Sequence, residues 1–175
     1  IAEACDNHFG SLEVAKKMAQ ESKKAGADIV KFQHHIPDEE MLQKVPKSDN
    51  FKLSLYEFLK KYSLKISDHE KLMNYCKKIK IKYLCTPFSY RAACELNEIG
   101  VDFFKIGSGE FLDVPFIKKM CEFRKPVIFS TGMSNIQDID EMYNFIKKYK
   151  KNQVAFMNCT SEYPPSFEDI NLGFI

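Results

Sequence analysis

The sequence predicts a parallel α/β fold, about six of the eight βα units of a TIM (β/α)8 barrel. Three observations predict it. Apolar runs of strand length alternate six times with segments of helical periodicity. Polar or charged residues stand near the C-terminal end of every run, where a barrel builds its site: Glu3, Lys31 with Gln33, Thr86, Lys105 with Ser108 and Glu110, Ser130, and Ser161. A doubly wound sheet would gather such residues at one switch point, and no G-x-G-x-x-G follows the first run.

The elements follow in order. Ile1 to Cys5 is a short apolar strand carrying one carboxylate, and residues 6 to 10 are a loop. Ser11 can cap a helix with its stripe at Leu12, Ala15, Met18 and Ala19, stopped by Gly26. Asp28 to His34 is the second strand. Lys31 and Gln33 share one face of it, Val30 and Phe32 the other. Residues 36 to 66 break the rhythm. They hold Pro37, Pro46 and a short helix over 53–62, and a connection of that length is often a functional loop.

Ser67-Asp68-His69-Glu70 reads as a capping box that starts a helix with Leu72, Met73, Cys76 and Ile79 inward. Ile81 to Cys85 is the third strand, followed by Thr86-Pro87-Phe88-Ser89 and a helix that ends at Gly100. The fourth strand lies in 102–110 and ends in Gly107-Ser108-Gly109. Asp113 can cap the next helix, with Pro115 in its first turn. Pro126 to Thr131 is the fifth strand. Asn135 opens a helix with Ile139, Met142, Tyr143 and Ile146 inward, and Gln153 to Cys159 is the sixth strand. Two further βα units are expected beyond residue 175, because six strands alone would leave open edges. Ile1, which starts directly in strand-like sequence, suggests residues in front of it.

Composition narrows the function. The 175 residues are 45% hydrophobic and 29% charged, as in a globular protein with a real core, for which the prior is one domain. A net charge of +2 offers no argument for nucleic acid or a membrane surface as partner. No stretch is long and apolar enough to span a bilayer, and no signal peptide is expected from these residues. None of the six cysteines forms a C-x-x-C pair, and most fall inside expected strands or helices, which suits a reducing cytoplasm.

The chemistry centres on the lysines. A lysine inside a buried strand is costly unless it is paired or bound to an anion, and the glycines after Lys105 let backbone N–H groups approach a ligand. A lysine snorkelling from a strand end remains the alternative. Lys31 and Lys105 can hold a phosphate or carboxylate as point charges, with Thr86, Ser108 and Ser130 adding hydroxyls. Glu3 and Glu110 are candidate acid–base groups. Glu3 and Lys31 could instead be a structural pair between neighbouring strands, and Thr86 and Ser130 helix caps. A Schiff base on either lysine fits a pocket with several anion donors less well than phosphate does. His8, His34 and His35 match no standard metal-ligand spacing and read as histidines bonded to structure.

These residues fall into motifs. In order they are Ile1-Ala2-Glu3 with Asn7-His8 and Gly10, then Ala25-Gly26-Ala27-Asp28 with Val30-Lys31 and Gln33. Thr86-Pro87-Phe88-Ser89, Lys105-Ile106-Gly107-Ser108-Gly109-Glu110 and Ser130-Thr131-Gly132-Met133 follow, then Cys159-Thr160 with Tyr163-Pro164. The ordered set, over essentially the whole chain, resembles the sialic acid (N-acetylneuraminate) synthase family, including the legionaminic and pseudaminic acid synthases.

The resemblance implies condensation of phosphoenolpyruvate with an N-acylated amino-sugar aldehyde of the N-acetylmannosamine type, with release of phosphate. It implies that Lys31, Thr86, Lys105, Ser108 and Ser130 hold phosphoenolpyruvate and that Glu3 is the base. Gln33, Glu110 and Tyr163 would line the sugar site, with Asn50 reaching it from the long loop. It also implies a divalent metal, manganese or magnesium, on two histidines of later strands, and a homodimer whose C-terminal antifreeze-like domain covers the partner's site. The segment alone is therefore expected to be inactive. Ser161 stands where some members have Asn, which touches the expected phosphate or sugar contact. Another phosphoenolpyruvate-condensing 3-deoxy sugar acid synthase should carry an extra basic cluster, and none is obvious; a non-catalytic barrel fragment is the third reading.

Overall fold

The computed structural model describes residues 1–44, 46–47, 52–149, 153–162 and 164–175. It divides into two compact units, Ile1–Asp102 and Phe103–Ile175.

In the first unit three parallel strands, β1 (Ala2–Glu3), β2 (Ile29–His34) and β3 (Lys82–Pro87), pair in chain order. The register sets Glu3 beside Lys31 beside Leu84, and Gln33 beside Thr86. Parallel partners project to the same side, so Glu3, Lys31, Gln33 and Thr86 share one face. The other face carries Val30, Phe32, Tyr83 and Cys85, all buried, with Phe32 stacked on Tyr83 at 5.9 Å. Helix α1 (Leu12–Lys24) buries Ala15 and Ala19, and the Ser11 hydroxyl caps it by accepting from Val14 N. Its last turn runs into Gly26, whose φ of +89° is left-handed backbone that glycine adopts without strain.

The long connection contains α2 (Pro37–Glu40) and α3 (Leu55–Tyr62). The second helix opens on a capping box between Ser54 and Glu57. Helix α4 (Ile66–Lys78) corrects the sequence reading. Ser67 does not cap it. The extended residue is Lys65 (ψ 155°), whose carbonyl accepts from Asp68 N and His69 N. Leu64, buried immediately before Lys65, anchors the chain so that the cap falls two residues earlier than the hydroxyl pattern suggested. Helix α5 (Tyr90–Glu98) is capped by Ser89, which accepts from Ala92 N, so Thr86 is a strand residue rather than a cap.

The second unit pairs β4 (Phe104–Ile106), β5 (Val127–Ser130) and β6 (Val154–Met157), again parallel and in order. Phe129 stacks on Phe156 at 5.5 Å, with Phe111 edge-on to both. Helix α6 (Val114–Glu122) is capped by Asp113, with proline in its first turn. Helix α7 (Ile136–Lys147) opens on a capping box between Asn135 and Asp138, so Ser130 does not cap it either. Met142 and Ile146 are buried, but Tyr143, expected inward, is 43% exposed. Its hydroxyl would lose water in a core, and its ring lies edge-on to Phe156 from the outside.

Candidate active site

Glu3 ends β1 and Lys31 lies mid-strand in β2, so their side chains meet because the strands are in register. Lys31 Nζ lies 2.9 Å from Glu3 Oε2. The lysine side chain is 4% exposed and the glutamate 49%. The pair is therefore asymmetric: a buried ammonium and a carboxylate that reaches water. Cys5 completes the corner. Lys31 Nζ donates to its Sγ at 3.8 Å, and the thiol points at Glu3 Oε2 at 3.6 Å. Burial, against the pull of Lys31 and with the push of Glu3, raises the Cys5 pKa, which keeps it a thiol. Cys5 has φ 48°, a strained value for a side-chain-bearing residue. Its N–H and that of Ala4 both donate to Lys31 O.

The loops after these strands carry a second cluster. His35 lies 3.1 Å by Nε2 from Asp6 Oδ2, bonds through Nδ1 to Glu40 Oε1 at 2.8 Å, and stacks on Phe88 at 4.2 Å. Burial opposes its charge, but Asp6 and Glu40 outweigh burial and raise its pKa to about 9. His8 behaves oppositely. Its Nδ1 accepts from Gly10 N, which places the proton on Nε2, and burial lowers its pKa despite Asp6 nearby. His34 meets Glu95 at 2.9 Å and His69 meets the Tyr83 hydroxyl at 2.7 Å, behind the sheet. Burial lowers the pKa of both histidines, well below the usual range for His69.

In the second unit Lys105 is 8% exposed in the centre of β4 and donates to Ser130 Oγ at 2.5 Å. The Gly107-Ser108-Gly109 turn brings Ser108 Oγ to accept from Gly132 N at 3.0 Å. Gly132 is the crowded point. A Cβ there would stand 2.6 Å from Ser161 Oγ, 3.0 Å from Cys159 O and 3.1 Å from Ser108 Oγ. Thr131 Oγ1 donates to Met157 O at 2.9 Å and ties this loop to β6. Beside it opens a cavity of about 410 Å³, lined among others by Thr131, Gly132, Ser134, Asn158, Thr160 and Ser161.

Within the units, then, the structure brings together Glu3 with Lys31, Gln33 with Thr86, Lys105 with Ser130, and Ser108 with Ser161 around Gly132. Glu110 lies half-buried in the turn after β4. Asn50 and Tyr163 lie outside the described residues. Sequence reasoning missed Asp6, Cys5 and Glu40, and it quoted Gly132 without its crowding. The positive φ at Cys5 left no mark in the sequence.

The NeuB family pattern matches residues 18–175. The chain is 36% identical to the N,N'-diacetyllegionaminic acid synthase of Campylobacter jejuni subsp. jejuni, over 98% of this chain and 54% of that protein. It is 29% identical to the N-acetylneuraminate-9-phosphate synthase of Homo sapiens, over 100% of this chain and 50% of the relative. The crystal structure of N-acetylneuraminic acid (sialic acid) synthetase from Leptospira borgpetersenii, solved with citrate, superposes with a TM-score of 0.88 at 27% identity. That match covers 99% of this chain and 58% of the other. The fold is thus that of part of a TIM barrel, and the chain spans about half the length of the relatives it matches.

Proposed function

The chain belongs to the NeuB family, and from that premise we propose that it condenses phosphoenolpyruvate with an N-acylated amino-sugar aldehyde. The product is a sialic, legionaminic or pseudaminic type of acid, and phosphate is released. One observation supports this most: two buried lysines, Lys31 and Lys105, stand among hydroxyl and carboxylate groups in motifs of the family's order. In a water-poor site such ammonium groups stabilise an anion far better than at the surface.

Lys31 and Thr86 in the first unit, and Lys105, Ser108 and Ser130 in the second, are assigned to phosphoenolpyruvate. Ser161 belongs with Ser108 at Gly132. Gln33, Glu110, Asn50 and Tyr163 are assigned to the sugar. Carbon 3 of phosphoenolpyruvate forms the new bond to the aldehyde carbon, and the aldehyde oxygen gains a proton to become a hydroxyl. Water adds at C2 and loses a proton to Glu3, whose carboxylate is half-exposed and oriented by Lys31. The C2–O bond to phosphate then breaks, the C2 hydroxyl becomes the carbonyl, and its proton leaves with the phosphate. Lys105, bonded to Ser130, is suited to the growing negative charge of that leaving group.

The resemblance also implies manganese or magnesium. Among the described residues no group of three or more His, Cys, Asp or Glu side chains is arranged to hold a metal ion, so they do not fit it and no step runs through it. A homodimer and a cytoplasmic setting belong to the same proposal. The cysteines are free, and among the described residues no helix is long and apolar enough to cross a membrane.

The test is phosphate release by the chain as encoded in full, given phosphoenolpyruvate, manganese, and N-acetylmannosamine or its phosphate ester. Release that requires both organic substrates is expected. Release from phosphoenolpyruvate without a sugar, or none with any N-acylated amino sugar, overturns the reading.

A further inference from the structure

We propose that His35 is a positioning residue: a buried aromatic cation that pins the loops after β1, β2 and β3 and thereby holds Glu3 in place. The inference rests on the reaction proposed above for the Glu3–Lys31 corner. Three loops meet at this one ring. Asp6 comes from the loop after β1, Glu40 from α2 in the loop after β2, and Phe88 from the loop after β3. Asp6 is one residue from the strained Cys5 and three from Glu3. Strained backbone persists only where its surroundings over-determine it, and the His35–Asp6 contact supplies such a hold from outside the strand.

The charge of the ring follows from its neighbours. Asp6 and Glu40 face its two nitrogens, while the charge of the ring acts on His8, His34 and His69, whose own pKa values burial lowers, His34 being bonded to Glu95. With two carboxylates against one imidazole, the protonated ring is favoured up to a pKa of about 9. Loss of that proton leaves a single N–H on the His35 ring for the two carboxylates, half-buried Asp6 and buried Glu40. Lys31 is held mid-strand by β-pairing on both sides, whereas Glu3 ends a two-residue strand next to the strained corner. Release of the pin therefore moves Glu3 more than Lys31. It acts on the chemical step more than on phosphoenolpyruvate binding.

The test uses the chain as encoded in full, with His35→Gln, which keeps a donor and cannot carry the charge, and Glu40→Gln. Phosphate release is followed from pH 6 to 10, and amide hydrogen exchange is followed over residues 4–9 and 36–41. For His35→Gln the proposal expects kcat to fall roughly tenfold to a hundredfold, as for a misplaced catalytic group. It expects KM for phosphoenolpyruvate to stay nearly constant, exchange to rise in both loops together, and the alkaline fall of the wild-type rate to disappear. In Glu40→Gln that alkaline fall moves to lower pH, which judges the proposal even if His35→Gln fails to fold. Unchanged kcat and exchange, a rise of exchange in one loop alone, or a KM effect without a kcat effect overturns it. A wild type without phosphate release refutes the synthase reading instead, and the paired exchange of the two loops still decides whether the pin exists.

Discussion

Gly132→Ala adds one methyl group at the place where the loops after β4, β5 and β6 converge. Its consequence can be worked from distances. The new carbon would stand 2.6 Å from Ser161 Oγ, closer than real Cβ contacts allow, and 3.0 Å from Cys159 O. Ser161 is exposed and can rotate away, but Cys159 O is backbone and must move with its chain. Ser108 Oγ, at 3.1 Å from the new carbon, also accepts the Gly132 N–H and so cannot retreat without losing that bond. Overpacking of this kind costs about 1–3 kcal/mol. For a chain of this size that corresponds to a melting temperature lower by roughly 2–12 °C. The ligand effect is larger, because Ser108 and Ser161 are both displaced. One hydrogen bond to a charged group is worth about 1.5–3 kcal/mol, so phosphoenolpyruvate affinity should fall roughly tenfold to a hundredfold. Gly173→Ala is the control, since a Cβ there meets nothing within 4 Å and the residue lies outside the binding motifs. Calorimetric melting and binding titrations measure both quantities. A Gly132→Ala chain that melts and binds like Gly173→Ala would refute the reasoning.

Three further outcomes are expected. Asn135→Ala should cost about 1 kcal/mol in denaturant unfolding by removing a working cap, while Ser67→Ala should cost only a few tenths; equal losses would contradict the assignment of Lys65 as N-cap. Buried His34 and His69 are neutral in the folded state with lowered pKa, so the unfolded chain takes up their protons first. Stability should therefore be complete above the ordinary histidine pKa of 6.5 and fall as pH drops below it, and less so in His69→Gln; an acid limb unchanged in that variant would count against it. His35 has the opposite sign. Its contribution is full below 6.5 and is lost as pH rises through about 9, so His35→Gln should flatten the alkaline side of the stability curve measured by urea midpoints.

The fold was legible where local chemistry and burial agreed. Ser11, Asp113 and Asn135 each precede an apolar stripe, and each accepts the expected N–H. The two S-x-x-E patterns show the limit. Ser54 and Glu57 form a capping box that the sequence reading passed over, whereas Ser67 and Glu70 do not, because buried Leu64 decides where the chain turns into α4. Helix periodicity placed Tyr143 inward, but a side chain with a polar end settled at the surface. For the site, Lys31, Lys105 and their hydroxyl neighbours were readable from alternation, since a charge inside a strand is rare enough to stand out. The Asp6–His35–Glu40 cluster was not. Its members lie 5 and 29 residues apart along the chain, and only the parallel pairing of β1 with β2 makes them neighbours. Histidine spacing suggested hydrogen bonding to structure but could not name the partners.

The central claim is that the buried ammonium of Lys105, beside Ser130, holds phosphoenolpyruvate. Calorimetric titration of phosphoenolpyruvate into the chain as encoded in full, compared with Lys105→Ala and with the surface variant Lys147→Ala, tests it most directly. The account predicts an affinity roughly tenfold to a hundredfold weaker in Lys105→Ala and unchanged in Lys147→Ala. Equal affinity in wild type and Lys105→Ala would contradict it.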